Sequence, residues 1–164
     1  MRRPLCLALL ALVAAAPSRA DDVADARSFI TDLYRAYESA GERPRRGDPR
    51  WYDESLARLL TENQQANAGG VPLLSGDPLC NCMDATGMRL EEVVAAALPE
   101  GRVGGEARLA LGAERRERIR LILVRTGAGL RVWDVGDEQT PSLRQALEDD
   151  TASAQRDKVE SGRK

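Results

Sequence analysis

The stretch EARLALGAERRERIRLILVRTGAGLRVWDV, residues 106–135, decides the fold. In two of its runs an aliphatic side chain stands at every second position, and Glu or Arg residues occupy the first positions of the opposite phase. Alternation with a period of two is typical of strands that have one buried face and one solvated face. Short connectors around Gly112 and around Gly127 divide the stretch, so we predict three consecutive strands in an antiparallel meander.

The segment Met88 to Leu98 precedes this meander and carries two conflicting signals. Its Glu and Ala residues favour a helix, whereas its position along the chain suits a first long strand that would complete the sheet. We predict a strand, and the helical alternative stays open at this point.

Two amphipathic helices are predicted before the sheet. The first is expected to be capped by Asp22 and to end at Gly41, and the second to close at Gly69–Gly70. Apolar side chains recur every three or four residues in each: Val23, Ala26, Phe29, Ile30, Leu33, Tyr34 and Tyr37 in the first, and Leu56, Leu59 and Leu60 in the second.

The end of the chain predicts a short helix followed by a tail. Thr140 offers an N-cap, Pro141 a first helical residue, and Leu143 and Leu147 an apolar face. Residues 150–164 contain one large apolar side chain and are predicted to be disordered. The predicted class is therefore α+β: two N-terminal helices packed on a curved, mainly antiparallel sheet of about four strands, with a short C-terminal helix.

Residues 1–20 match the pattern of a signal peptide. Arginines precede an uncharged apolar run from Leu5 to Ala16, and Ser18 and Ala20 supply the small residues before a cleavage site. The run is shorter than the roughly 18 residues that a membrane span needs. We therefore predict a leader that is removed, one α+β domain over residues 21–149, and a periplasmic or secreted protein with no membrane span after cleavage.

Composition excludes several functions. The 164 residues include no His, so no imidazole base, metal ligand or pH switch is present. The formal net charge is −2 and becomes more negative when the arginine-containing leader is removed, which disfavours nucleic acid as a partner. No linear catalytic motif stands out, and the sequence predicts no catalytic residue, no cofactor and no metal site.

Cys80 and Cys82 form the sharpest local feature of the sequence. In an oxidising compartment two such cysteines are expected to pair and to staple the loop before the sheet. Redox exchange, an intermolecular bridge and a soft-metal site are the alternatives.

Four arginines fall on the polar positions of the predicted strands. Together they could form a face for an anion or an acidic partner. The alternative is a solvated face on which they pair locally with Glu106 and Glu117. The set consists of Arg108, Arg118, Arg120 and Arg131.

Four aromatic side chains could line a pocket for an apolar or aromatic ligand. Six aromatic residues in the whole chain make a core position the favoured alternative. The four are Phe29, Tyr34, Tyr37 and Trp133.

Several of these segments resemble a bacterial envelope family catalogued as domain of unknown function 3828, itself similar to the cone-shaped α+β superfamily named after nuclear transport factor two. The matching stretches are Phe29–Tyr37, Leu56–Leu60, Asp77–Asp84, Leu130–Val135 and Ser142–Leu147. Met83 stands where the family pattern has Gln. The resemblance implies a conical fold whose helices close a bent sheet around a pocket or a partner-binding face, and it implies no reaction.

The sequence thus predicts a secreted or periplasmic, non-catalytic binding domain that engages an envelope protein or a small ligand. The alternative is a small periplasmic enzyme that uses the Cys80 and Cys82 thiols or pocket carboxylates.

Overall fold

A computed structural model describes residues 19–38, 43–68 and 70–161. The chain is an α+β protein with a four-stranded antiparallel sheet, as the sequence predicts. Its elements in chain order are α1 (Arg19–Glu38), α2 (Glu54–Ala66), β1 (Met88–Ala97), a 3-10 turn (Pro99–Gly101), β2 (Val103–Leu111), β3 (Arg115–Thr126), β4 (Gly129–Gly136) and α3 (Leu143–Ser161). The predicted leader up to Ser18 and the predicted helix ends at Gly41 and Gly69 lie outside the described residues.

The sheet is a meander with the strand order β1-β2-β3-β4. The three strands predicted from alternation are confirmed, and β1 resolves the ambiguous segment in favour of a strand. Two register shifts leave Glu91 in β1 and Trp133 in β4 without a directly paired residue. Such bulges bend a strand and increase its twist, so both outer strands curve.

One face of the sheet, which we call the inner face, is covered by α1. Ile30 and Leu33 are fully buried there, together with Ala107 and Ile119 of the sheet. A Cβ added at Gly105 would overlap the Cδ1 atom of Ile30, so the absence of a side chain lets α1 approach β2 closely. The opposite face, which we call the outer face, carries the polar positions of the strands.

The second helix packs mainly against α3 and makes fewer contacts with β4. Leu56 and Leu60 are buried, and Asp53 caps α2 by accepting a hydrogen bond of 3.0 Å from the Ser55 N–H. The residues before α2 also pair with the sheet, because Tyr52 forms a parallel bridge to Val132. The segment 51–53 therefore pairs with the edge of β4 that faces away from β3.

The two terminal helices differ from the sequence prediction at their starts. Asp22 lies inside the first turn of α1 instead of capping it, where a carboxylate suits the positive end of the helix dipole and where it bonds Arg125 at 2.6 Å. The hydroxyl of Ser142, not that of Thr140, accepts a bond of 3.2 Å from the Gln145 N–H at the start of α3.

The prediction of a short C-terminal helix and a disordered tail from residue 150 is wrong for the described residues, because α3 continues to Ser161. No Gly or Pro interrupts residues 143–160, and Ala, Gln, Arg, Lys and Glu in this stretch are good helix formers. The start of the supposed tail is also anchored: the Asn63 amide donates to Asp150 at 2.8 Å and to Thr151 at 3.1 Å.

Candidate functional site

The loop that contains the two cysteines is a compact, closed unit. Cys80 and Cys82 are joined as a disulfide, their Cα atoms are 5.1 Å apart, and both residues are buried. The Asp77 N–H donates to the Cys82 carbonyl at 2.8 Å, and Asn81 adopts a left-handed φ of 47°. We call residues 77–82 the disulfide loop.

Two tyrosines of α1 hold the disulfide loop. The Tyr34 hydroxyl donates to the Leu79 carbonyl at 2.8 Å, and the Tyr37 hydroxyl donates to Asp77 Oδ2 at 2.6 Å. The other oxygen of Asp77 accepts from the Leu79 N–H at 2.9 Å. Both tyrosines are buried, so these two members of the predicted pocket lining are core residues that position a loop.

A third tyrosine completes this cluster. Tyr52 is buried, and within the described residues its hydroxyl has no hydrogen-bond partner. Burial, reinforced by the charge of Asp77, raises the pKa of Tyr34, Tyr37 and Tyr52 well above the usual value. Burial also raises the pKa of Asp77 itself. The cluster therefore favours neutral phenols and opposes ionisation of its one carboxyl group.

The other two aromatic candidates lie in different surroundings. The rings of Phe29 and Trp51 are tilted against each other with centroids 5.7 Å apart. Trp133 is flanked by the guanidinium groups of Arg102, at 3.9 Å from its ring centre, and Arg144, at 4.4 Å. Such cation–π contacts stabilise a half-buried ring, and none of the four aromatic candidates lines the two cavities described below.

The four arginine candidates do not all lie at one site, although Arg108 and Arg118 line a common polar cavity. Arg108 pairs with Glu92 at 2.7 Å, and Arg118 pairs with Glu106 at 3.3 Å, so charges of both signs alternate on the outer face.

The other two arginines of that set bond backbone carbonyls. Arg120 donates to the Asp137 carbonyl at 2.5 Å, and Arg131 donates to the Pro49 carbonyl at 2.7 Å. Arg131 thus fixes the chain before Trp51 instead of contributing to a binding face.

An apolar groove of about 350 Å³ lies on the outer face between β1, β3 and the chain that leads into α3. Its apolar walls include Val94, Leu98, Ile122 and Pro141, and Glu106 and Arg120 also line it. Val94 is 45% exposed and Leu98 is 36% exposed, so the groove leaves two large apolar side chains partly open to water. We call this cavity the outer groove.

The sequence contains one signal for the outer groove that the predictions above do not use. The polar positions of β3 are Arg118 and Arg120, but the next two positions on the same face are Ile122 and Val124. The residues on the outer face of β3 therefore change from charged to apolar halfway along the strand, and this change marks the apolar part of the outer face.

A second cavity, of about 330 Å³, lies between the disulfide loop and the connection from β4 to α3. Asp77, Cys82, Met83, Arg115 and Leu143 are among its lining residues. Asp77 is thus the one member of the tyrosine cluster that also reaches this cavity.

Within the described residues, no three or more Asp, Glu and Cys side chains are placed to hold a metal ion. No helix among them combines the length and apolarity needed to cross a membrane.

Fold and site together define the described part of the chain as an α+β domain in which α1 covers one face of the sheet and the groove lies on the other. Comparison with known proteins finds no matching family model, no matching curated protein and no matching solved structure.

Proposed function

We propose that this chain is a secreted or periplasmic, non-catalytic binding domain that engages an envelope protein through the outer groove. The groove carries the proposal because it leaves Val94 and Leu98 in contact with water on the face that also carries the ion pairs of Arg108 and Arg118. Covering exposed apolar side chains with a partner is favourable, and a rim of charged residues is typical of such interfaces.

Three further features support this proposal. The leader pattern at residues 1–20 directs the chain out of the cytoplasm. The resemblance to the envelope family suggests a cone-like domain with a pocket or partner face, and α1 over a bulged meander is compatible with it. The groups with reactive chemistry are engaged internally: the cysteines are bonded and buried, and Tyr37 is hydrogen-bonded to Asp77.

An enzyme is the second candidate, and one observation favours it. Asp77 combines a raised pKa with a phenol at 2.6 Å and with access to the second cavity, as a general acid would. Against it, both oxygens of Asp77 already accept hydrogen bonds that hold the disulfide loop.

Two variants separate these candidates. Asp77→Asn and the double variant Cys80→Ser/Cys82→Ser should lower or alter stability but leave partner binding intact if the domain is non-catalytic. Loss of a turnover with either variant, at temperatures where the fold is retained, would establish the enzyme.

The predicted periplasmic or secreted localisation is tested by N-terminal analysis of the exported protein. We expect a mature chain that begins at Asp21. A chain retained in the cytoplasm with Met1 in place would overturn the secreted assignment.

The groove is tested with a matched pair of charge substitutions. Ile122→Lys places an ammonium group in the groove. Val71→Lys is the control, because Val71 lies in the loop between α2 and β1 and is 88% exposed. We expect Ile122→Lys to abolish capture of an envelope protein that wild type and Val71→Lys both retain. Equal capture by all three would contradict the proposal, and a thermal shift of wild type with small apolar compounds but with no protein would replace the protein partner by a small ligand.

A further inference from the structure

In the described part of the chain, the backbone groups at one edge of the sheet are hydrogen-bonded to another segment and those at the other edge are not. At β4, the Asp53 N–H donates to the Val132 carbonyl at 2.9 Å, and the Val132 N–H donates to the Trp51 carbonyl at 2.8 Å. Within the described residues, β1 pairs with β2 alone. No backbone hydrogen bond from the described residues reaches the opposite edge of β1 between Arg89 and Ala97. An open edge presents a row of backbone donors and acceptors that fits another extended chain.

The two halves of β1 are not equally protected. The first half carries Arg89, Glu91 and Glu92 and includes the bulge at Glu91. Charges and bulges are common devices that prevent pairing at an open edge. The second half, Val93–Ala97, and the adjoining Leu98 contain no charged residue, so the unprotected part of the edge is confined to them.

The outer groove borders this unprotected half. Val94 and Leu98 belong to both, and Leu98 lies over Gly104, where an added Cβ would stand 3.2 Å from its Cδ1 atom. A strand placed beside β1 would direct every second side chain to the outer face, next to Val94. Those side chains would extend the apolar surface of the groove.

We propose that the binding domain takes an extended, uncharged segment of its envelope partner as a fifth strand along Val93–Leu98, an inference that rests on the proposed function. Backbone hydrogen bonds supply the affinity, and β-branched or aromatic side chains at alternate positions supply the specificity. The segment is uncharged because the nearest carboxylates have partners: Glu91 pairs with Arg116 at 2.8 Å and Glu92 with Arg108 at 2.7 Å.

A second copy of this chain is disfavoured at the edge in one antiparallel register. Antiparallel self-pairing centred on Ala95 would set Glu92 of each copy opposite Leu98 of the other. A carboxylate would then lie beside the apolar groove, where desolvation is unfavourable.

The test uses a short peptide of alternating threonine and valine and an analogue that is N-methylated on every residue, because methyl groups on alternate residues would block only one edge of the peptide. The protein is the mature chain, and the measurements are NMR shifts and hydrogen exchange of the backbone amides. We expect the unmodified peptide to shift and protect amides within residues 93–97, and the N-methylated analogue to lose this effect. Val94→Lys should weaken binding about tenfold or more, a difference of about 1.4 kcal/mol, whereas Val71→Lys should bind as wild type does.

Any of four outcomes would overturn the inference. Equal binding of the two peptides would mean that the groove holds side chains without strand addition. A wild-type chain that is dimeric in sedimentation and becomes monomeric with Val94→Lys would identify a second copy as the occupant. If the peptide does not bind but Ile122→Lys still loses partner capture, the strand-addition hypothesis is refuted and the proposed function is retained. If Ile122→Lys captures the partner as wild type does, both the strand-addition hypothesis and the proposed function are refuted.

Discussion

The hydroxyl groups of the three tyrosines show how one atom can decide the role of a residue. All three rings are buried and add to the core. Two hydroxyls donate to the disulfide loop, at 2.8 Å from Tyr34 and 2.6 Å from Tyr37, whereas the hydroxyl of Tyr52 has no partner within the described residues. A buried polar atom contributes to stability when it is hydrogen-bonded and opposes it when it is not.

This difference predicts opposite outcomes for two conservative substitutions. Tyr37→Phe removes the donor to Asp77 and leaves a mostly buried carboxyl group with one fewer hydrogen bond, so it should lower the free energy of unfolding by about 1–3 kcal/mol. Tyr52→Phe removes a hydroxyl without a partner and should change stability little or increase it. Denaturant unfolding of both variants measures the difference; equal losses would show that Tyr37 and Asp77 are not coupled in solution.

Asp77 gives a prediction for pH dependence. Burial raises its pKa above the usual 3.8, so the folded chain retains a proton that the unfolded chain releases between 3.8 and the folded pKa. The contribution of this group to stability is therefore largest at acid pH and is lost as the pH rises through that interval. The free energy of unfolding of wild type minus that of Asp77→Asn should fall as the pH rises from about 3 to about 7. A difference that stays constant over this range would show that the carboxyl group is not desolvated.

At the scale of elements, regular patterns were predictable and interrupted ones were not. Strands β2 and β3 follow from the alternation of apolar and charged residues in their central parts, since a period of two places Ala107 and Leu109 on one face. Strand β1 stayed ambiguous because Ala has high helix propensity and the pairing with β2 is a tertiary contact that the local sequence does not encode. The sequence does not predict the extent of α3, because its polar residues are equally typical of a disordered tail and the contact of Asn63 in α2 with Asp150 is a tertiary one.

The candidate site was predictable only in part for a similar reason. The period of α1 placed Tyr34 and Tyr37 on its buried face, as the structure shows. Their partners Leu79 and Asp77 lie 45 and 40 residues further along the chain. No local pattern specifies contacts of that separation, so the tyrosines were assigned to a pocket or a core without the loop that they hold.

The contact between α1 and the sheet predicts a strong asymmetry between two neighbouring glycines of β2. Gly105→Ala adds a methyl group that overlaps Ile30 Cδ1, so it should destabilise the fold by about 1–3 kcal/mol through overpacking. Gly104→Ala faces Leu98 at 3.2 Å on the open side and should cost much less. Ile30→Val removes the clashing atom, so the double variant Gly105→Ala/Ile30→Val should recover part of the loss. Thermal unfolding of the four chains measures the coupling, and purely additive losses would mean that α1 does not rest on Gly105.

Across the molecule as a whole, the two sides of the sheet carry different kinds of side chains and contacts. The side of the sheet covered by α1 holds the tyrosine cluster and the disulfide loop, whereas the opposite side carries ion pairs and the outer groove. The covered side thus provides stability and the open side is available for binding. Changes to the tyrosine cluster should therefore act on stability first, and changes to the groove on binding first.

The tyrosine cluster also predicts how the whole molecule responds to alkali. Tyr34, Tyr37 and Tyr52 are the three tyrosines of the chain, and the fold raises the pKa of each. The unfolded chain ionises its phenols near pH 10, so the fold keeps its full contribution below that pH and loses stability as the pH rises above it. Phenolate absorbance should therefore appear together with the loss of helical circular dichroism, whereas the chain in guanidinium should titrate normally near pH 10. A tyrosine that ionises at its ordinary pKa while the helices remain intact would mean that its ring is exposed to solvent and that the cluster does not form part of the core.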